Sequence, residues 1–513
     1  MSEQTGTNQG GFIERWAKRI PDPILLFMAF FVIAFVASVL LGGHSFESMG
    51  AGGELQTYSI RSMAEAEQVR WIFDNALLTN WLGFGGGVLG VILVVILAIG
   101  IAEQSGLLSA LIKRMALLVP QSLLPLLLVL LGILSSLATD AGYLILIPLA
   151  GMLYAGMGKN PLIGMAAAFA GVSAGFSANL VPGTPIDVII GVNAQAFAEA
   201  QGVPFANAAG EPLQAATMHY WFIATSTFVL AATGALVTRW FVQPRLERQS
   251  FVVPADLGLG EFALSPEERR GLVGAGIGLL VAAALIAGLI LGPLAAFENA
   301  EGRRIVPYMN NVILLISLFF ACVGLGFGIG AGTFKRAQDA VNAMVKQMNT
   351  IGYILVLTFF AYNFLGLLTY SGLGAWITYL GGQALLALSL DESPVLLLIG
   401  FVLATATINL FIGGLTSKWM LLGPIFIPML YFVSPEMTPD LVSAAYRVAD
   451  SATNVVSPMM MYAGIILAFM RRYRPELSFG EMLLMMVPYS AAFLVVWTTL
   501  LVGFYVFGIP LGF

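Results

Sequence analysis

Charge is scarce in this chain. Only 10% of its 513 residues are Asp, Glu, Lys or Arg, against about a quarter in an ordinary soluble domain. Cysteine is nearly absent. Cys322 stands alone in an apolar run, which excludes an internal disulfide and any Cys-based metal cluster. The two histidines, His44 and His219, fall at predicted outer boundaries of membrane spans with no second His at ligand spacing, which argues against a metal centre. The formal net charge of -5, carried mostly by short loops and ends, leaves no basic footprint for nucleic acid. The glycine run Gly83–Gly90 lacks the Lys-Ser/Thr of a phosphate loop, and close helix packing explains it better. No nucleophile–base–orienter set appears, so an enzyme is not expected. The N-terminus has no short apolar region followed by a small-residue cleavage site, and the first span is expected to be retained.

What the chain has in abundance is apolar surface, with 58% hydrophobic residues. A hydrocarbon core of about 30 Å takes roughly 20 apolar residues per helix. Nine segments read as full spans: Ile24–Leu41, Gly83–Ala102, Leu162–Ala196, Tyr220–Phe241, Val273–Ala295, Val312–Ala331, Ile351–Thr369, Ala444–Met470 and Leu483–Tyr505. Two more apolar stretches, Leu123–Tyr154 and Pro394–Phe432, are too long for one span and are broken by SSLATDAG (Ser135–Gly142) and NLFIGGLTSK (Asn409–Lys418). Polar backbone at membrane depth survives only where protein or a water-filled cavity covers it, so each stretch reads as a re-entrant hairpin with a protected tip.

The basic residues orient the chain. With the N-terminus inside, most of the 23 Lys and Arg fall on the cytoplasmic side, only Arg61, Arg70, Arg303 and Arg304 lie outside, and Lys418 and Arg447 remain in the membrane. The two hairpins then enter from opposite faces. A faint echo supports this inversion: TDAGYLILIP (Thr139–Pro148) resembles TSKWMLLGP (Thr416–Pro424), and SANLVP (Ser177–Pro182) resembles SATNVVSP (Ser451–Pro458). The expected fold is therefore an all-α polytopic membrane protein with nine transmembrane helices plus two re-entrant hairpins in an inverted repeat. Its first half (1–242) holds a hairpin near 122–156 and a broken helix near 160–196. A cytoplasmic linker (243–268) precedes the second half (269–513), with a hairpin near 393–433 and a broken helix near 440–470. Glu47–Asp74 and Glu199–Thr217 read as outer loops. The pattern predicts a multi-pass inner-membrane protein with a cytoplasmic N-terminus.

Ionisable groups at membrane depth are expensive, and they default to functional candidates. Here they are Asp140, Asp187, Lys418, Arg447 and Asp450, with Glu103 near an inner boundary. Buried pairs that fix helix packing are the competing explanation, but these residues gather on the interrupted elements. Arg447 and Asp450, three apart, share a helix face. They could pair, or a substrate carboxylate could compete for the guanidinium through a bidentate contact. Asn409, Asp450 and Asn454, with carbonyls freed at helix breaks, form an oxygen set suited to Na⁺. Asp140 and Asp187 are alternative coupling groups that could carry a proton. Trp419 could stack on an aromatic solute or wedge two helices apart.

Several long motifs occur in one order along the chain: IERWAKRIPDPILLF at the start, IGIAEQSGLLSALI (Ile99–Ile112), the block Ala138–Leu180, SKWMLLGPIFIPML (Ser417–Leu430) and AAYRVADSATNVVSPMMMY (Ala444–Tyr462). In these the chain resembles the p-aminobenzoyl-glutamate transporter (AbgT) family. The resemblance implies a homodimer in the lipid bilayer of the bacterial inner membrane, with nine transmembrane helices and two hairpins per subunit. It also implies transport of p-aminobenzoyl-glutamate, or export of sulfonamide antimetabolites, driven by a cation gradient and without a cofactor. By motif, Asp187, Ser417, Trp419, Pro439, Arg447 and Asp450 match the family's substrate-binding residues, and Asn409 and Asp450 match its Na⁺ ligands. The chain departs from the family after SANL, where GTPIDVII (Gly183–Ile190) stands in place of Gly-Thr-x-Asp-Pro. A dicarboxylate or short-chain acid carrier of the same architecture is the nearest rival. A channel is a further alternative, but it would need a continuous polar pore.

Overall fold

The computed structural model describes residues 23–49, 55–84, 88–116, 123–137, 142–253, 264–298, 304–387, 389, 393–410, 414–457, 460 and 462–513. The chain is mostly helical. Seven of the described helices are long and apolar enough to cross a membrane: Pro23–Leu40, Tyr220–Leu246, Pro266–Leu291, Val312–Ala331, Gly352–Ser371, Leu415–Val433 and Phe479–Val506. Shorter apolar helices fill the rest of the core. Several of the long helices turn apolar side chains outward; Val273, Ile277 and Leu280 on Pro266–Leu291 are 68%, 60% and 71% exposed, as a lipid-facing surface requires. The chain is a multi-pass membrane protein.

Several details differ from the sequence expectation. The fold is not purely helical: Ser45–Met49, which starts just before the expected loop Glu47–Asp74, pairs antiparallel with Leu55–Ser59 within it, and Phe46 stacks on Tyr58. A second short ribbon joins Phe297–Glu298 to Arg304–Ile305. A helix at Leu373–Ala387 occupies a stretch assigned to no element, because its 15 residues fall below the length that marks a span.

Glycine allows close helix contact. Pro266–Leu291 lies along Val312–Ala331, and a Cβ at Gly274 would run into the Gly326 carbonyl. Side chains this small let two backbones touch where lipid offers no hydrophobic drive for association.

The site is built from elements that recur in each half. In the first, helix Leu124–Leu134 runs into the turn Ser135–Leu137, and the described chain resumes at Gly142–Leu146, which leads into Ile147–Gly156. Thr139 and Asp140 lie outside the described residues. The next helix, Pro161–Phe169, winds on through Ala170–Ala174, breaks, and resumes at Pro185–Ala200. The break ends at Gly183, whose φ of +67° suits glycine and where a Cβ would strike Ile316. In the second half, Pro394–Asn409 and Leu415–Val433 are followed by Pro439–Asn454 and, after an interruption, Ala463–Arg471. Between the halves, the helix from Tyr220 ends at Leu246, and the next starts at Pro266, where Ser265 and Glu268 form a reciprocal capping box.

Candidate substrate and ion site

Helix Pro439–Asn454 is buried on every face from Pro439 to Thr453. Its sequence is nonetheless amphipathic: Ser443, Arg447, Asp450 and Asn454 fall at intervals of three or four and form one polar stripe. A polar stripe with no water beside it must find partners inside the protein. It finds them on the broken helix Pro161–Ala200, on helices Pro394–Asn409 and Leu415–Val433, and at His219.

Arg447, 1% exposed, reaches across to the first half. Nη2 donates to the Ser177 carbonyl at 2.6 Å, a backbone group left open where that helix breaks. The same nitrogen lies 2.7 Å from Asp187 Oδ1, a charge contact out of line with the N–H bond. Asp187 is fixed independently. It is the third residue of helix Pro185–Ala200, and its Oδ2 accepts from both the backbone N–H and the hydroxyl of Thr184 at 2.9 Å, closing a capping box. The helix N-terminus stabilises the carboxylate charge. Arg447 therefore pairs with Asp187 rather than with Asp450, its helix neighbour. The long guanidinium side chain spans to the adjoining element, and Asp450 is taken by another cation.

That cation is Lys418, 1% exposed, in the first turn of Leu415–Val433. Its Nζ lies 2.5 Å from Asp450 Oδ1 and donates to Asn409 Oδ1. Asn409 in turn donates through Nδ2 to the Asp450 carbonyl at 2.6 Å and to Thr453 Oγ1 at 2.8 Å. The amide orientation follows from its partners: a carbonyl only accepts, and the Thr453 hydroxyl is committed as donor to the Ala449 carbonyl at 2.7 Å. The structure thus brings together Asn409 and Asp450. Asn454 is not part of that centre. Its amide is turned to Ser173, 3.2 Å from the hydroxyl oxygen, and ties the two broken helices together.

Trp419 is fully buried. Its indole N–H donates to the Ile190 carbonyl at 3.1 Å, and its ring packs on Tyr446 and Phe197 at centroid distances of 4.7 and 6.0 Å. Ser417, 7% exposed, precedes Lys418 in the same turn. Pro439 opens its helix and accepts from the Ser443 hydroxyl at 2.6 Å. Glu103 takes a hydrogen bond from Gln347 on a separate helix. One cleft, about 370 Å³ of empty space, is lined mainly by Phe84, Phe197, Leu365, Leu368 and Ile377, and none of the charged residues Asp187, Lys418, Arg447 and Asp450 lines it.

His219 is the functional candidate that sequence reasoning passed over. It is buried beside Arg447, with Nδ1 3.1 Å from Nη1 and Nε2 2.9 Å from the Asp440 carbonyl. A guanidinium can only donate and a carbonyl can only accept, so the ring is neutral with its proton on Nε2. The signal was a lone polar ring immediately before an apolar span, which spacing alone does not connect to residue 447.

The model of the AbgT putative transporter family matches residues 10–513. The p-aminobenzoyl-glutamate transport protein of Escherichia coli is 27% identical over 505 residues, covering 98% of this chain and 95% of that one. Two solved structures superpose with a TM-score of 0.84. The YdaH transporter of Alcanivorax borkumensis is 35% identical, covering 96% of this chain and 100% of the other. MtrF of Neisseria gonorrhoeae, described with a class of antimetabolite efflux pumps, is 33% identical, covering 95% and 96%. Together with the membrane-length helices, these matches make the protein a multi-pass inner-membrane transporter and not an enzyme, and the chain belongs to the AbgT family.

Proposed function

We propose that this protein is a cation-coupled secondary transporter of p-aminobenzoyl-glutamate or related folate-pathway compounds, and that it exports sulfonamide antimetabolites. The observation that carries the reading is the Asp187–Arg447 contact between the two halves. A buried guanidinium held by one internal carboxylate is a site that an external carboxylate can take over. Arg447 Nε has no hydrogen-bond partner among the described residues, so an incoming carboxylate seated across Nε and Nη2 would gain a bidentate geometry that Asp187 does not use. The glutamyl end of p-aminobenzoyl-glutamate supplies such a group, and its aromatic end suits the Trp419, Tyr446 and Phe197 rings nearby.

In this conformation Asp187, Lys418, Trp419, Arg447 and Asp450 are all closed off from solvent, so loading requires elements of the two halves to part. Arg447–Asp187, Asn454–Ser173, Trp419–Ile190 and the Ser177 N–H to Ser451 Oγ bond cross between the halves and must be exchanged during a transport cycle. Ser417 and Pro439 flank this centre as further substrate contacts. The subunit orients its N-terminus to the cytoplasm and works as a homodimer.

Flux into proteoliposomes of labelled p-aminobenzoyl-glutamate and of a sulfonamide, under separately imposed Na⁺ and pH gradients, tests the proposal. Saturable movement of either compound accelerated by one gradient supports it. Transport of simple dicarboxylates that neither compound inhibits would assign the fold to a different carrier, and gradient-independent ohmic flux would make it a channel.

A further inference from the structure

Two oxygens that the sequence pattern assigns to a Na⁺ site already surround a cation. Asn409 Oδ1 and Asp450 Oδ1 both contact the Lys418 ammonium. The third expected ligand, Asn454, points to Ser173. The arrangement is not an accident of one rotamer: the Asn409 amide is locked by two acceptors, and Lys418 is enclosed by protein.

We propose that the Lys418 ammonium is the resident cation of the Asn409–Asp450 centre, tethered in the place that free Na⁺ would take. An ammonium and Na⁺ seek the same oxygen donors, and two like charges a few ångströms apart in a buried site repel strongly. The centre is therefore closed to Na⁺ while Lys418 holds it, and removing the tethered charge leaves a carboxylate and an amide oxygen facing each other as a Na⁺ site. This inference rests on the cation-coupled reading above and specifies which cation occupies this part of the site.

The test uses the full chain in lipid nanodiscs, reading equilibrium binding of radiolabelled Na⁺ and the thermal midpoint in sodium chloride against choline chloride. Wild type and Lys418→Arg are expected to bind no Na⁺ and to melt alike in both salts. Lys418→Met is expected to bind one Na⁺ per chain where wild type binds none, because the buried like charge is gone, with a higher midpoint in sodium. The added substitution Asp450→Asn should abolish both gains. Na⁺ binding by wild type that Asp450→Asn removes would overturn the proposal, as would a folded Lys418→Met that gains none. If Lys418→Met does not fold, the wild-type and Lys418→Arg measurements decide. Na⁺ binding is read without flux, so failure to transport p-aminobenzoyl-glutamate would not be mistaken for failure here.

Discussion

His219 Nδ1 faces Arg447 Nη1 at 3.1 Å, so a neutral imidazole, and not a second acid, holds the outer corner of the guanidinium. The other ring nitrogen donates to the Asp440 carbonyl and lies 3.0 Å from Ser443 Oγ. The histidine thus anchors Arg447 to the start of its own helix while Asp187 holds it to the opposite half.

Replacing His219 with Ala should leave one guanidinium nitrogen without an acceptor. An unsatisfied buried donor costs about 1–3 kcal/mol, which should appear as a lower thermal midpoint and weaker binding of anionic substrate. His219→Asn, whose amide oxygen can stand near the Nδ1 position, should recover most of the binding. Calorimetry on both variants checks this; equal loss in Ala and Asn would assign the histidine to packing alone.

Arg447→Lys should fail almost as fully as Arg447→Ala in substrate binding. The guanidinium meets Ser177, Asp187 and His219 in three directions, and a lysine ammonium cannot reproduce that planar fork. Loss of charge-assisted contacts worth about 1.5–3 kcal/mol each predicts a fall in affinity of about a hundredfold for Arg447→Ala. Equilibrium binding of labelled p-aminobenzoyl-glutamate to purified, folded variants is the measurement.

The legibility of this chain in its sequence follows from where its information is local. Val312–Ala331 was bounded correctly because an uninterrupted apolar run needs only its own residues to be recognised. The first break was legible in SANLVPG, whose proline and glycine a helix interior disfavours, whereas in SATNVV the residues Ser451–Asn454 stay helical and the interruption follows them. Pairing was not local. Asp187 and Arg447 meet across 260 positions of sequence, and the spacing of Arg447 to Asp450 suggested a nearer partner that the fold gives to Lys418. His219 was hidden for the same reason, since its role exists only through a residue on another element.

Gly274→Val should block assembly more than its modest volume suggests. The added branched side chain meets the Gly326 carbonyl of the facing helix, so the two backbones must separate along their shared stripe. Overpacking of this kind costs about 1–3 kcal/mol or more. Detergent-solubilised yield and thermal midpoint should both fall, whereas Gly276→Val, at a glycine with open space around it, should be tolerated.

Trp419 separates two roles through two substitutions. Trp419→Phe removes the indole N–H bond to Ile190 but keeps an aromatic ring between Tyr446 and Phe197, for a cost near 1 kcal/mol. Trp419→Ala empties a large buried volume and should cost about 3–5 kcal/mol. If the ring serves only as a wedge, substrate affinity in the Phe variant should match wild type. A selective loss of affinity for aromatic over aliphatic carboxylates would show that the indole touches the solute.

Asp187→Asn tests whether the internal carboxylate and the substrate compete for the same guanidinium. The amide can still accept from Thr184 and cap its helix, so the local fold should survive, but Arg447 loses its counter-charge. Leaving a buried cation uncompensated costs about 3–5 kcal/mol, and the substrate-free protein should melt at a lower temperature than wild type. If an anionic substrate takes the place of Asp187 at Arg447, it restores the missing charge, so the rise in midpoint on adding p-aminobenzoyl-glutamate should be larger in Asp187→Asn than in wild type, with affinity maintained or increased. If Asp187 instead binds the substrate directly, both the affinity and the ligand-induced rise should fall. Thermal unfolding with and without substrate therefore distinguishes a displaced carboxylate from a binding one by the sign of a single difference.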